Sequence, residues 1–90
     1  MDENGPRLDL ADEKGNLRAE LSLDKNAPGL GLYGENGENR ASLAVTKNGS
    51  GLALLNEKGK IRVGMAMNAL TAKPMMTLKD ENGKVIWKAP

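Results

Sequence analysis

The chain contains no histidine, no cysteine and no phenylalanine, and its aromatic residues are one tyrosine, Tyr33, and one tryptophan, Trp87. Each absence excludes something. Histidine is the side chain that titrates near neutral pH and the commonest transition-metal ligand, and cysteine supplies the thiolate nucleophile and soft metal ligand. Without them the usual nucleophile, base and zinc arrangements cannot be assembled. No disulfide can form either, which leaves the redox compartment open. Large aromatics carry much of a small domain's buried area, so a chain of 90 residues must build its interior from Leu, Met, Val and Ala. Chains this short bury a modest share of their surface, and with no disulfide to staple the fold, oligomerisation is the remaining remedy.

Excess charge is missing as well. The formal net charge is +1, which argues against a general nucleic-acid binder, and the shortage of aromatics removes the platforms on which bases stack. The distribution is uneven: residues 1–45 carry nine acids and five bases, residues 46–90 three acids and eight bases. Stacked along an axis, such a chain has an acidic end and a basic end, an arrangement that favours head-to-tail contact; chance drift of solvated residues is the plainer explanation. The charge-free run from Val63 to Ala72 is too short to span a bilayer, and no secretory signal pattern is evident. The expectation is a soluble chain with no membrane insertion.

The remaining chemical candidates are weak. Asp12, Glu13, Glu57, Asp80 and Glu81 sit in turns beside Lys14, Lys58 and Lys84, as solvated residues rather than as a pair converging in a dry pocket, which raised-pKa acid catalysis needs. Asp80-Glu81-Asn82-Gly83 lacks the alternating ligands and distant glutamate of a helix-loop-helix calcium site. Gly29, Gly31 and Gly34 have the spacing of a dinucleotide fingerprint but do not follow a strand and open a helix. Met65, Met67, Met75 and Met76 are read as core filling, with an adaptable binding surface as the alternative. No catalytic, cofactor-binding or metal-ligating residue is assigned, and the chain is not expected to be an enzyme.

What is present is a period. Gly15, Gly37 and Gly59 recur at 22-residue steps, with Gly83 after 24, and Leu8, Leu30, Leu52 and Arg18, Arg40, Arg62 keep the same 22-residue step. A fixed period in this range marks units that bury their apolar faces only by stacking on neighbours. Each unit reads as a β-hairpin. In the first, Leu17, Ala19, Leu21 and Leu23 alternate with Arg18, Glu20 and Ser22, the two-residue period of a half-buried strand. Asp12-Glu13-Lys14-Gly15 supplies an acceptor in first place and a glycine able to take positive φ in fourth, the chemistry of a type I turn with a bulge. Asn56 to Gly59 and Asp80 to Gly83 repeat it, Gly34 to Gly37 keeps only the last glycine and adds one, and Asp2 to Gly5 resembles the tail of another. The connections Asp24–Gly29 and Thr46–Gly51 are short and rich in Gly, Pro and Asn, which suits antiparallel neighbours. The connection Asn68–Pro74 is longer by two.

The opposite face carries small residues, Gly31, Ser42, Ala44, Ala53, Gly64 and Ala66, where a solvated sheet face would carry Thr, Lys and Glu. Both faces are therefore expected to be at least partly covered, as in a subunit interface. The arginine column forms a ladder that Glu20 and Glu38 are placed to neutralise; presenting a stripe to a polyanion is the alternative. In the last unit Ile86 stands in the arginine column and Trp87 in that of the small residues, as expected of a unit that caps the stack.

The combination of Leu-x-Leu, Asp-Glu-x-Gly and Lys-x-Arg-x-x-Leu at about 22 residues, over residues 7–88, resembles the short β-hairpin repeats of bacterial surface and phage-fibre proteins, whose chains wrap as β-prism or β-helical shafts, often trimeric. The resemblance implies a spacer-like structural role at an extracellular or cell-surface location and assigns no functional residue. A single-layer sheet of stacked hairpins, like that of spirochaete outer-surface lipoproteins, is the nearest alternative; it would carry more Lys and Glu than Gly31, Ala44, Ala53 and Ala66 provide. The expected fold is all-β: one repeat domain over residues 1–90, with four antiparallel hairpins (about 7–28, 29–50, 51–73 and 74–90) stacked into a β-prism or solenoid-like shaft completed by homo-oligomerisation, most simply a trimer. The expected role is structural, a segment of a fibre, stalk or surface assembly. A β-repeat module that binds a protein or glycan on an exposed sheet face is the alternative.

Overall fold

Two-residue alternation bounded by glycine turns leads to strands alone: β1 (Arg7–Ala11), β2 (Leu17–Asp24), β3 (Ala27–Tyr33), β4 (Asn39–Thr46), β5 (Gly49–Leu55), β6 (Ile61–Asn68), β7 (Lys73–Lys79) and β8 (Val85–Ala89). The computed structural model describes residues 5–24 and 27–90. The eight strands form one open antiparallel sheet in chain order, β1 and β8 at its edges. It is a plate of 40 × 30 × 14 Å with a radius of gyration of 14.7 Å, against about 12 Å for a compact domain of this length. No described residue is fully buried.

The pairing register aligns side chains into rows that cross the whole sheet. One row runs Leu8, Leu21, Leu30, Leu43, Leu52, Met65, Met76, Ala89, and its neighbour runs Leu10, Ala19, Leu32, Ala41, Leu54, Val63, Leu78, Trp87. Cross-strand partners point to the same side, so these rows lie together on one surface, the leucine face. On the other side Asp9, Glu20, Gly31, Ser42, Ala53, Gly64, Thr77 and Lys88 form a row, with the arginines beside it.

The turns use the chemistry expected of them. Gly15, Gly37, Gly59 and Gly83 all take φ between 81° and 87°. The carboxylate of Asp12 accepts from the N–H groups of Lys14 and Asn16 at 3.0 Å, Asn56 does the same for Lys58 and Lys60, and Asp80 for Asn82 and Lys84. The second turn reaches that geometry from the other side. Gly34 has no side chain, and the Glu38 carboxylate occupies the space a Cβ on Gly34 would fill, accepting from the Asn36 N–H at 3.2 Å. Gly34→Asp alone is therefore expected to destabilise by about 1 kcal/mol, setting two carboxylates in one place. Combined with Glu38→Asn it rebuilds the first turn and should gain about 0.5 kcal/mol over the native chain. Thermal denaturation of the single and double variants checks the pair; a stable single variant would contradict it.

Several details depart from the sequence reading. The connection at 46–51 contracts, because β4 runs through Thr46 and β5 begins at Gly49, leaving Lys47-Asn48 as the turn. The readings placed on Asp2 to Asn4 and on Lys25-Asn26 lie outside the described residues. Leu17 is opposite Ala11, with a register shift between Leu10 and Ala11, so it leaves the leucine face and joins Arg7 and Asp9. Asn39, Ile61 and Val85 are displaced in the same way. The cause is a bulge that leaves Arg18, Arg40, Arg62 or Ile86 as the extra residue and reverses the alternation before it.

Candidate functional site

The bulge also aims the arginines. Each lies at the end of its strand opposite the last residue of the next hairpin's first strand, and each donates from Nε to that residue's carbonyl: Arg18 to Tyr33 at 3.0 Å, Arg40 to Leu55 at 3.1 Å and Arg62 to Lys79 at 2.8 Å. The ladder thus clamps one hairpin to the next. A charged donor on a carbonyl contributes more than a neutral one. Ile86 holds the same column in β8, the edge strand of the described sheet.

The acids are not where the spacing put them. Arg18 pairs with Asp12 at 3.6 Å, Glu20 pairs with Arg7 at 3.4 Å, and Glu38 is taken up by its turn. These are half-exposed surface pairs of small energetic weight. The titration of Asp12 is displaced: the N–H of Asn16 foremost, opposed by desolvation and reinforced by the Lys14 N–H, the Asn16 side chain and the Arg18 charge, holds its carboxyl below the ordinary aspartate value. A carboxyl depressed in the folded state stabilises above its unfolded value, and that stability is lost as pH falls through the depressed value. The expected result is a melting temperature that drops in acid more steeply for the native chain than for Asp12→Asn, the two curves converging below about pH 4. A constant gap across the acid range would contradict it.

On the arginine face the small residues leave a trough. Ser42, Ala44, Gly51, Ala53, Gly64 and Ala66 form its floor, Ile61, Arg62 and Met75 its walls, enclosing an open depression of about 440 Å³. Elsewhere on the sheet Tyr33 lies across Gly31, where a Cβ would stand 2.9 Å from the phenolic oxygen; that contact explains one glycine of the Gly29-Gly31-Gly34 pattern without any phosphate. Among the described residues no cluster of three or more His, Cys, Asp or Glu is placed to hold a metal ion, and no helix is long and apolar enough to cross a membrane.

The leucine face is the larger feature. Leu8 and Leu10 are about 60% exposed, and Leu21, Leu43, Met67 and Trp87 about half. Near the β8 edge, Leu43, Leu52, Met65, Met67, Pro74, Met76, Trp87 and Ala89 surround a shallow apolar depression of about 530 Å³. Monomeric soluble proteins rarely expose contiguous apolar patches beyond a few hundred Å², and here two uninterrupted rows cross eight strands. The total exposed area is 6918 Å², against about 5,100 Å² for a folded monomer of this mass. The excess of about 1,800 Å² is of the size one subunit buries in an extensive permanent interface. The sequence already marked the residues of this face; that they would remain uncovered within one chain required the topology.

The chain matches no protein-family model, and comparison with curated proteins gives no match.

Proposed function

We propose that the chain is a structural segment that assembles with copies of itself, most simply as a trimer with three leucine faces turned inward and the strands running across the long axis of a shaft. The observation that carries this reading is the leucine face, apolar in every residue of two rows spanning the sheet and open to solvent in a single chain. The dimensions are compatible with a filled interior. A strand of seven or eight residues spans about 25 Å, so three such faces enclose a prism whose walls lie about 7 Å from its axis, near the reach of Leu and Met side chains and the roughly 5 Å half-spacing of packed sheets. The role is architectural and non-catalytic, a stretch of fibre, stalk or surface layer about one sheet width long, extracellular if the resemblance to surface and phage-fibre repeats holds.

The native protein is then expected not to enhance the fluorescence of anilinonaphthalene sulfonate, a dye that lights up on accessible apolar surface, whereas denaturant-loosened protein does. Bright emission from the native protein would sink the reading. A second reading rests on the depression beside Trp87, whose volume of about 530 Å³ falls in the range of small-molecule sites: a module that binds a ligand on its exposed face. The single tryptophan is its reporter. A saturable change in Trp87 emission with one compound, lost on Met65→Ala, would favour it over self-assembly.

A further inference from the structure

Each row that crosses the sheet begins on β1 and ends on β8, and the two ends are complementary. Leu8 and Ala89 terminate one apolar row and Leu10 and Trp87 the other, while the row between them starts on Asp9 and finishes on Lys88. Both edge strands are five residues long, and β1 and β8 are the first and last strands in the sheet order. Unpaired edges are templates for another strand. The junctions inside the sheet fix the register such a strand would take: at β2–β3, β4–β5 and β6–β7, position by position, the same columns face each other, as Leu21 faces Leu30, Leu43 faces Leu52 and Met65 faces Met76. Continued past β8, that register sets Ala89 against Leu8 of the next copy, Trp87 against Leu10, and Lys88 against Asp9.

We infer that the β8 edge of one chain pairs antiparallel with the β1 edge of a second copy, lengthening the sheet end to end. This rests on the self-assembling reading above and specifies the contact by which segments join. Strand direction alternates through the meander, so β1 of a new copy enters antiparallel to β8 as the pattern requires. Charge acts in the same sense. The half of the chain at the β1 edge has an excess of four acids and the half at the β8 edge an excess of five bases, so head-to-tail contact is attractive and contact between like ends is repulsive. The contact is heterologous, joining different surfaces, and propagates as a line. It differs from the inner junctions in one respect: Ile86 brings no guanidinium to the carbonyl of Ala11. In a three-chain shaft the contact occurs three times at each joint, which compensates for short edges.

The chain has no cysteine, so single cysteines report cleanly. Asp9→Cys and Lys88→Cys proteins, mixed in equal amounts and treated with a short bis-maleimide, are expected to give a linked pair containing one of each, while Glu57→Cys mixed with Lys88→Cys gives none. Ile86→Arg, which supplies the missing guanidinium, is expected to strengthen end-to-end association about fivefold, the effect of one added hydrogen bond, and raised salt to weaken it. Absence of the 9–88 product in a preparation whose mass is that of several chains would overturn the end-to-end contact and leave face-to-face assembly standing. A linked product confined to one chain in the Asp9→Cys/Lys88→Cys double variant would also overturn it, because the edges then close on each other. A single-chain mass throughout would overturn both the contact and the assembly it extends.

Discussion

Leu43→Lys is expected to convert the assembled protein to single chains. Leu43 lies mid-row between Leu30 and Leu52 and is 48% exposed in the isolated sheet, so within one chain the exchange sacrifices little packing and the Lys head reaches water. In an assembly whose interior the leucine faces form, the same side chain meets two more copies of itself in an apolar space. A buried unpaired ammonium costs several kcal/mol, and in a trimer that cost is incurred three times. The expected outcome is a loss of about tenfold in association constant for each 1.4 kcal/mol incurred. Leu70→Lys is the control: Leu70 is 85% exposed in the turn between β6 and β7, and its change should leave the mass untouched. Equal behaviour of the two variants would remove the leucine face from the account.

The second large effect separates two glycines that resemble each other in sequence. Gly37 has φ of 87° and nothing within 4 Å of a Cβ built on it, so Gly37→Ala carries only the strain of a left-handed residue, about 1 kcal/mol, and Gly37→Val about 1 to 2. Gly49 has φ of 144°, and its Cβ would collide with the Met67 carbonyl across the β5–β6 pair. A carbonyl in a sheet ladder cannot swing aside without breaking its pairing, so Gly49→Ala is expected to cost more than about 2 kcal/mol and to disturb the second connection, where Ala69 donates to Asn48. Chemical denaturation of both Ala variants checks the order. A Gly49→Ala protein as stable as Gly37→Ala would contradict the register at β5–β6.

These two positions show how much the sequence alone reveals. The positive φ of Gly15, Gly59 and Gly83 was legible from turn chemistry, because an Asp or Asn acceptor three residues earlier leaves few other backbone paths, and that of Gly37 from its place in the same 22-residue column. The strands followed from two-residue alternation, and the all-β antiparallel architecture with them. The side of the sheet on which Leu17 and Ile61 lie was not legible: a one-residue bulge reverses parity, and nothing local to Leu17 announces it. The arginine column was visible, but its use was misread, since charge arithmetic looks for Glu20 and Glu38 while the guanidinium instead meets a carbonyl on the next hairpin. Glu38 standing in for the side chain that Gly34 lacks could have been found, because the second turn is the one that loses its acceptor and gains an acid just beyond its glycine. That both faces call for a covering layer was read from the small residues and the leucine columns; the single open sheet that leaves them bare within one chain was not. Alternation identifies an apolar side but does not say whether the covering layer comes from the same chain, and here the eight described strands lie in simple succession in one layer.

The most direct test is the absolute mass in solution, by light scattering coupled to size exclusion, across a dilution series. One chain weighs 9.6 kDa. A mass of three chains that persists at the lowest concentration measured is expected, with longer species appearing only as the protein is concentrated. A stable mass of one chain at every concentration, with the leucine face left open to water, would contradict it.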